Sequence, residues 1–189
     1  MQLWVGLGNP GPDYAMNRHN VGFMAADAIA EVHDFEPTKK AFSGWTRQGR
    51  IGGQRILILK PATFMNESGR SVRAAMDFFK KAAGDVTVFY DELDLAPFKV
   101  KVKFGGGTAG HNGIRSIDAH IGDAFRRVRI GIGHPGHKDK VTKHVLGNYA
   151  KAETEQLSDL LAAIAAEADW LAKGDDPRFM SDVALRMKD

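Results

Sequence analysis

The chain has 189 residues, is 43% hydrophobic and is close to neutral, with 26 basic and 23 acidic side chains. That length suits one well-buried core and is short for two. It holds no cysteine, which excludes disulfides, a thiol nucleophile and cysteine-ligated zinc together, and fits a reducing cytoplasm.

The opening MQLWVGLGNPG lacks a basic stretch followed by an apolar one, and no long uncharged apolar run follows, so neither an export signal nor a membrane span is expected. Residues 2–8 read as a buried strand. Gly6, Gly8 and Gly11 then spell the G-x-G-x-x-G of a dinucleotide-binding turn. That motif requires the third glycine to enter a helix, and an acidic residue about twenty positions on at the end of a second strand. Pro12 disfavours helical backbone at Gly11, and the acidic residue at the required distance, Asp27, lies inside an amphipathic helix. The glycines therefore predict a rigid turn.

Val21, Met24, Ala25, Ala28, Ile29 and Val32 fall on one helix face, with Asn17 placed to cap it. Two strand-like runs flank Gly52 and Gly53, a hairpin signal. Val72, Ala75, Met76 and Phe79 mark a second helix. Val86–Tyr90 reads as a strand, and Phe98–Phe104 alternates strictly, with Lys99, Lys101 and Lys103 on one face and Phe98, Val100, Val102 and Phe104 on the core side. HNGIRSIDAHIG is a short helix after a glycine-rich loop, and RRVRIGIG another strand. Leu157, Leu160, Leu161, Ile164, Ala168 and Leu171 predict one long helix, and residues 176–187 a last one. Strands and helices alternate while hairpins intervene, which predicts a single α/β domain over residues 1–189, a twisted mixed β-sheet flanked by helices.

Polar clusters follow several strands: Asn9 to Asn20, DELD from Asp91, GGGTAGHNG before the short helix, and KPATFMNESG. Ligands of α/β sheets gather at strand ends, so these clusters are expected in one cleft. His19 is the candidate base. In the first turn of a helix capped by Asn17, the dipole would disfavour imidazolium and keep the ring neutral. Asp91, ending a strand, is placed to orient and stabilise that ring, with Asp94 the competing carboxylate. No serine stands in a nucleophile elbow, so a His19–Asp91 pair would activate water. Asn9, Asn66 and Asn112 offer amides that grip a peptide or polarise a carbonyl without titrating. His111 reads either as a second polar group at that rim or as a helix-start residue, and Phe64 and Met65 as packing residues or an apolar wall. Pro135 and Gly136 break the H-x-x-H of His134 and His137, so no metal site is expected.

Charge is unevenly spread. Residues 98–144 carry 10 basic and 3 acidic side chains, whereas residues 145–189 carry 5 and 9. The lysine stripe of 99, 101 and 103, with Arg126, Arg127, Arg129, Lys138, Lys140 and Lys143, predicts a surface for a nucleic-acid backbone.

Taken together, VGLGNPGPDYAMNRHNVGF, KPATFMNESG, DELDL, GGGTAGHNGIRSI, RIGIGHPG and VLGNY closely resemble the bacterial peptidyl-tRNA hydrolase family, in order from about residue 3 to residue 149. The resemblance implies a monomeric cytoplasmic hydrolase, without cofactor, that cleaves the ester between a peptide and the terminal ribose of tRNA. It implies that His19 is the base and Asp91 its holder, and that Asn9 helps distinguish N-blocked from free aminoacyl-tRNA. It further implies that Tyr14, Phe64, Asn66 and Asn112 contact substrate, and Lys103 and Arg129 are expected to meet phosphates near the acceptor end. Tyr90 stands where some relatives have histidine. Two other classes make different demands: an RNA-binding module without catalysis has no use for His19 and Asp91 together, and a nucleotide-cofactor enzyme would bind a dinucleotide at Gly6–Gly11.

Overall fold

The structure is a computed structural model and describes residues 1–188. Its centre is a seven-stranded mixed sheet built from β1 (Gln2–Gly6), β2 (Lys39–Ala41), β3 (Gly44–Ile51), β4 (Gln54–Pro61), β5 (Val86–Glu92), β6 (Val100–Phe104) and β7 (Arg126–Gly131), in the order β2-β3-β4-β1-β5-β7-β6. The central strands β4, β1, β5 and β7 run parallel. The flanking β2–β3–β4 and β6–β7 pairs are antiparallel. Gly52 and Gly53, both with left-handed φ (56° and 78°), close the β3–β4 hairpin as the sequence predicts.

Alternation along the strands divides the interior in two. Trp4, Ile56, Ile58, Phe89 and Val128 face α1 (Val21–Val32) and the C-terminal helices α5 (Thr154–Ala166), α6 (Ala168–Ala172) and α7 (Asp176–Arg186). Leu3, Val5, Leu57, Leu59, Val86 and Val88 face α2 (Ser68–Phe79) and α3 (Asn112–Ile121). A period of two puts successive residues on opposite faces, so strands covered on both sides are apolar throughout. A five-residue helix, α4 (Val141–Val145), lies between β7 and α5.

Four expectations are corrected. Asn17 makes no side-chain cap; its Nδ2 donates to Asn148 Oδ1 at 2.7 Å, and residues 18–20 form a 3-10 turn before α1 begins. The long C-terminal helix is interrupted at Glu167, where Trp170 N–H bonds back three residues to the Glu167 carbonyl. Phe98 precedes β6 in a left-handed conformation (φ 67°), buried beneath Tyr149. Phe104 is 62% exposed, because β6 is an edge strand whose Val100 and Val102 alone pack on the core beside α7.

Candidate active site

The polar clusters do meet. Asn9, His19, Phe64, Met65, Asn66, Asp91, His111 and Asn112 line one cavity of about 300 Å³ beyond the ends of β1, β4 and β5. Glu92, Leu93, Ala109 and Gly110 also line it, and a further wall is made by Val141, Thr142, Val145 and Leu146, four residues to which the sequence reading assigns no site role. Their signal is faint: apolar residues spaced i, i+4 and i+5 within a basic loop. Backbone pairing holds this wall in place, with Arg18 N–H donating to Gly147 O at 3.0 Å and Tyr149 N–H to Met16 O at 3.0 Å.

At the floor, His19 Nδ1 donates to Asp91 Oδ2 at 2.7 Å. Both residues are buried. Asp91 is the last residue but one of β5, an all-buried run that carries its carboxylate to the strand end. Asp94 is exposed in the following turn and has no part in the pair. Among the described residues His19 Nε2 has no hydrogen-bond partner, so the lone pair on that nitrogen is left for the cleft.

The charge logic at His19 differs from the expectation. Burial disfavours its cationic form, but the Asp91 charge and hydrogen bond outweigh burial and raise the imidazole above its ordinary range. The helix-dipole argument fails because His19 precedes α1 and the carboxylate is in direct contact. Burial likewise pushes the Asp91 carboxyl up, yet the imidazoles of His111 and His19 against it hold it well below the usual carboxylate range. Asp91 is therefore ionised.

Sequence reading left His111 undecided between rim and helix start; it is both. Its Nδ1 accepts from Gly113 N–H and Ile114 N–H at 3.1 and 3.2 Å, capping α3, and its Nε2 lies 2.8 Å from Asp91 Oδ1. His19, Asp91 and His111 bring ligand-type atoms within 4.8 Å of one another, and both imidazoles are engaged on Asp91, His19 at Oδ2 and His111 at Oδ1. His134 and His137 each use Nδ1 on a nearby backbone N–H, of Gly136 and Asp139. Both serve as local turn residues.

Asn9 is fixed on three sides. Its N–H donates to Asn20 Oδ1 and its carbonyl accepts from Asn20 Nδ2, each at 2.9 Å, while its own Oδ1 accepts from Met65 N–H at 2.8 Å. With the oxygen engaged, the amide presents Nδ2, a donor, toward the cavity. Asn66 and Asn112 are exposed on the lips. Phe64, 55% exposed, meets Tyr14 edge-on with ring centroids 6.3 Å apart, so the two aromatics form a rim.

Lys103 and Arg129 lie outside this lining, on β6 and β7. Lys101 opposes Arg129 and Lys103 opposes Arg127 across the antiparallel register, so these four start from one sheet face. The basic surface is thinner than its charge count suggests. Arg127 is fully buried, stacks on Phe125 at 4.3 Å and donates to the carbonyls of Gly106 and Gly107. Arg126 points to the other face and pairs with Asp176 at 2.8 Å. Arg129 has Glu92 at 3.7 Å and keeps about a fifth of its side chain exposed, whereas Lys103 is exposed.

Comparison with known proteins points to one family. The family model described as Peptidyl-tRNA hydrolase matches residues 3–189. The peptidyl-tRNA hydrolase of Sphingopyxis alaskensis is 78% identical over 188 residues, covering all of both chains, and that of Rhizorhabdus wittichii 74% over 189 residues with the same coverage. The crystal structure of peptidyl-tRNA hydrolase from Acinetobacter baumannii superposes with a TM-score of 0.90 at 39% identity, covering 97% of this chain and 94% of that one.

Proposed function

This chain belongs to the peptidyl-tRNA hydrolase family, and from that premise we infer that it hydrolyses the ester joining a peptide, or an N-blocked amino acid, to tRNA. The observation that carries the mechanism is the buried His19–Asp91 pair with an open Nε2. His19 Nε2 takes a proton from water as the water attacks the ester carbonyl, and ionised Asp91 steadies the imidazolium. The carbonyl oxygen gathers negative charge and is met by amide donors, Asn9 Nδ2 foremost. The ribose oxygen then leaves with the proton that the His19 imidazolium returns. Asn66 and Asn112 on the lips and the Tyr14–Phe64 rim hold the peptide end, while Lys103 and Arg129 meet acceptor-end phosphates. All these groups come from one chain, which supports action as a monomer. Among the described residues no helix is long and apolar enough to cross a membrane, and the cysteine-free sequence suits the cytoplasm.

The same amide accounts for substrate choice. A donor fixed at Asn9 welcomes the carbonyl oxygen of an N-blocked substrate. A free ammonium offers only donors, so it would sit beside Nδ2 unpaired and partly desolvated. Purified protein without added cofactor is therefore expected to cleave N-acetyl-aminoacyl-tRNA and largely spare the free-amine form. Failure to cleave either substrate would overturn the enzymatic reading in favour of an RNA-binding one. Equal rates on both would overturn the role given to Asn9.

A further inference from the structure

The Asp91 carboxylate has two side-chain partners among the described residues, His19 on Oδ2 and His111 on Oδ1. Carboxylate and amide ends rotate over a broad, roughly two-fold profile, so a lone partner does not by itself fix the plane of a carboxylate, nor which end of an amide faces it. His111 is not free to adapt. Two backbone N–H groups point at its Nδ1, and an N–H cannot donate to a protonated nitrogen. The hydrogen of the neutral ring is thus on Nε2, which meets Asp91 Oδ1.

The ring itself has an aromatic neighbour. Tyr90 packs on it edge-on with centroids 5.1 Å apart, and the missing side chain at Gly113 leaves it room, since a Cβ there would lie 3.1 Å from His111 Cε1. Burial and the nearby Glu92 push the Tyr90 phenol up to about 12, so its packing is that of a neutral ring.

We propose that His111 is a positioning residue: anchored by the first turn of α3, it holds Asp91 Oδ1 and so fixes the plane in which Oδ2 meets His19 Nδ1. The order runs from the backbone of Gly113 and Ile114 through His111 Nε2–H to Asp91, then from Asp91 to His19 Nδ1–H. It leaves Nε2 as the base. The inference rests on the catalytic reading above for its consequence, and on hydrogen-bond geometry alone for its mechanism.

The lock predicts how Asp91→Asn fails. His111 Nε2–H demands the amide oxygen, which turns the amide NH2 toward His19 Nδ1. His19 must then accept there and carry its hydrogen on Nε2, and the base is lost. The expected decrease in kcat is on the order of 10⁴, as for a triad forced into the wrong tautomer. An asparagine at position 111 keeps the α3 cap, being a good N-cap residue, but is too short to reach Asp91. In the His111→Asn background the amide at position 91 is free to present its oxygen to His19, so the further penalty of Asp91→Asn should shrink about tenfold or more, the coupling typical of one hydrogen-bonded network.

The test has two arms on the full chain. ¹⁵N-histidine NMR of the unmodified protein should show His111 with its hydrogen on Nε2 and an unprotonated Nδ1; a hydrogen on Nδ1 would overturn the lock without any variant having to fold. Kinetics of wild type, Asp91→Asn, His111→Asn and the double variant on N-acetyl-aminoacyl-tRNA, with melting curves to confirm the retained cap, should show the reduced penalty in kcat. An equal penalty in both backgrounds would overturn it. Should the wild type lack hydrolysis altogether, the catalytic reading falls and the NMR arm still decides the tautomer.

Discussion

Replacing Gly22 with alanine should disable the base from a position that never touches substrate. Gly22 is the second residue of α1, and a Cβ built on it would lie 2.6 Å from Leu7 N and 2.7 Å from Leu7 O, and closer still to the Phe89 carbonyl. All three are backbone atoms of β5 and of the turn leaving β1, bonded to one another and to α1 through Leu7 N–Phe89 O at 3.1 Å and Phe23 N–Leu7 O at 3.0 Å. None can swing aside as a side chain would. Restoring ordinary contact at about 3.5 Å requires α1 to withdraw by roughly 1 Å. Overpacking of this kind costs about 1–3 kcal/mol, which for a domain of this size lowers Tm by roughly 2–4 °C per kcal/mol. The same withdrawal carries His19, three residues upstream, away from Asp91. A 2.7 Å bond lengthened that far is no longer a hydrogen bond, and a misplacement of about 1 Å can cost on the order of 10² in rate. Gly84→Ala is the control, since nothing lies within 4 Å of a Cβ there and its φ is not positive; it should be neutral or slightly stabilising. Urea melts and turnover on N-acetyl-aminoacyl-tRNA measure both effects. A Gly22→Ala protein as stable and active as Gly84→Ala would refute the packing argument.

His19→Ala should lose about 10² to 10⁴ in turnover while tRNA affinity, read by filter binding, is nearly kept; near-normal turnover in the folded variant would remove His19 from the mechanism. Because only the neutral ring accepts a proton and Asp91 raises its pKa, kcat/KM should fall on the acid side with a midpoint above the ordinary value of 6.5. In Asp91→Asn burial and the amide NH2 donated to Nδ1 both oppose the cation, so that limb should shift to lower pH beneath a much lower plateau, and a limb at or below 6.5 in wild type would contradict the charge argument. Lys103→Gln should weaken full-length peptidyl-tRNA and leave an N-blocked aminoacyl ester of a single nucleoside almost unchanged, with the loss shrinking as salt rises. Arg129→Gln should do the same less cleanly, since it also strips Glu92 of its partner at 3.7 Å; equal losses on the short and long substrates would assign both side chains to the fold.

What the sequence discloses depends on whether a residue acts alone or through a neighbour. β5 is legible because burial on both faces demands an unbroken apolar run, and its end marks Asp91. The hairpin is legible because Gly52 and Gly53 suit a turn of positive φ. β2, three residues of which two are exposed lysines, has no pattern to detect. α4 has only a faint one, in five residues that owe their place to the backbone pairing of residues 16–18 with 147–149. The charge count of residues 98–144 does not tell which side each arginine takes. Alternation along β7 sends Arg126 to Asp176 beneath α7 and Arg127 under the glycine-rich loop. His111 is hardest to read, because a helix cap and a clamp on a carboxylate leave the same single letter.

The glycine spacing that imitates a dinucleotide turn has its own physical account here. At Gly6 a Cβ would run into the Gly22 carbonyl and lie 2.8 Å from Ala26 Cβ, and at Gly8 it would lie 2.6 Å from the Phe23 ring and 3.0 Å from Asn20 Cγ. Both glycines let α1 press against β1. Gly11, at φ 107° with open space around it, only turns the chain. A pyrophosphate needs free N–H groups at the helix start, yet Phe23 N–H is already spent on Leu7 O at 3.0 Å. The acidic residue that would hold a ribose, Asp27, is instead paired with Lys60 at 2.7 Å. The close approach that spends this helix start is also what lets Asn20 grip the Asn9 backbone and sets His19, its neighbour in the chain, against Asp91. Dinucleotide binding and this acid–base pair are therefore competing uses of the same few residues, and the contacts of α1 with β1 choose between them.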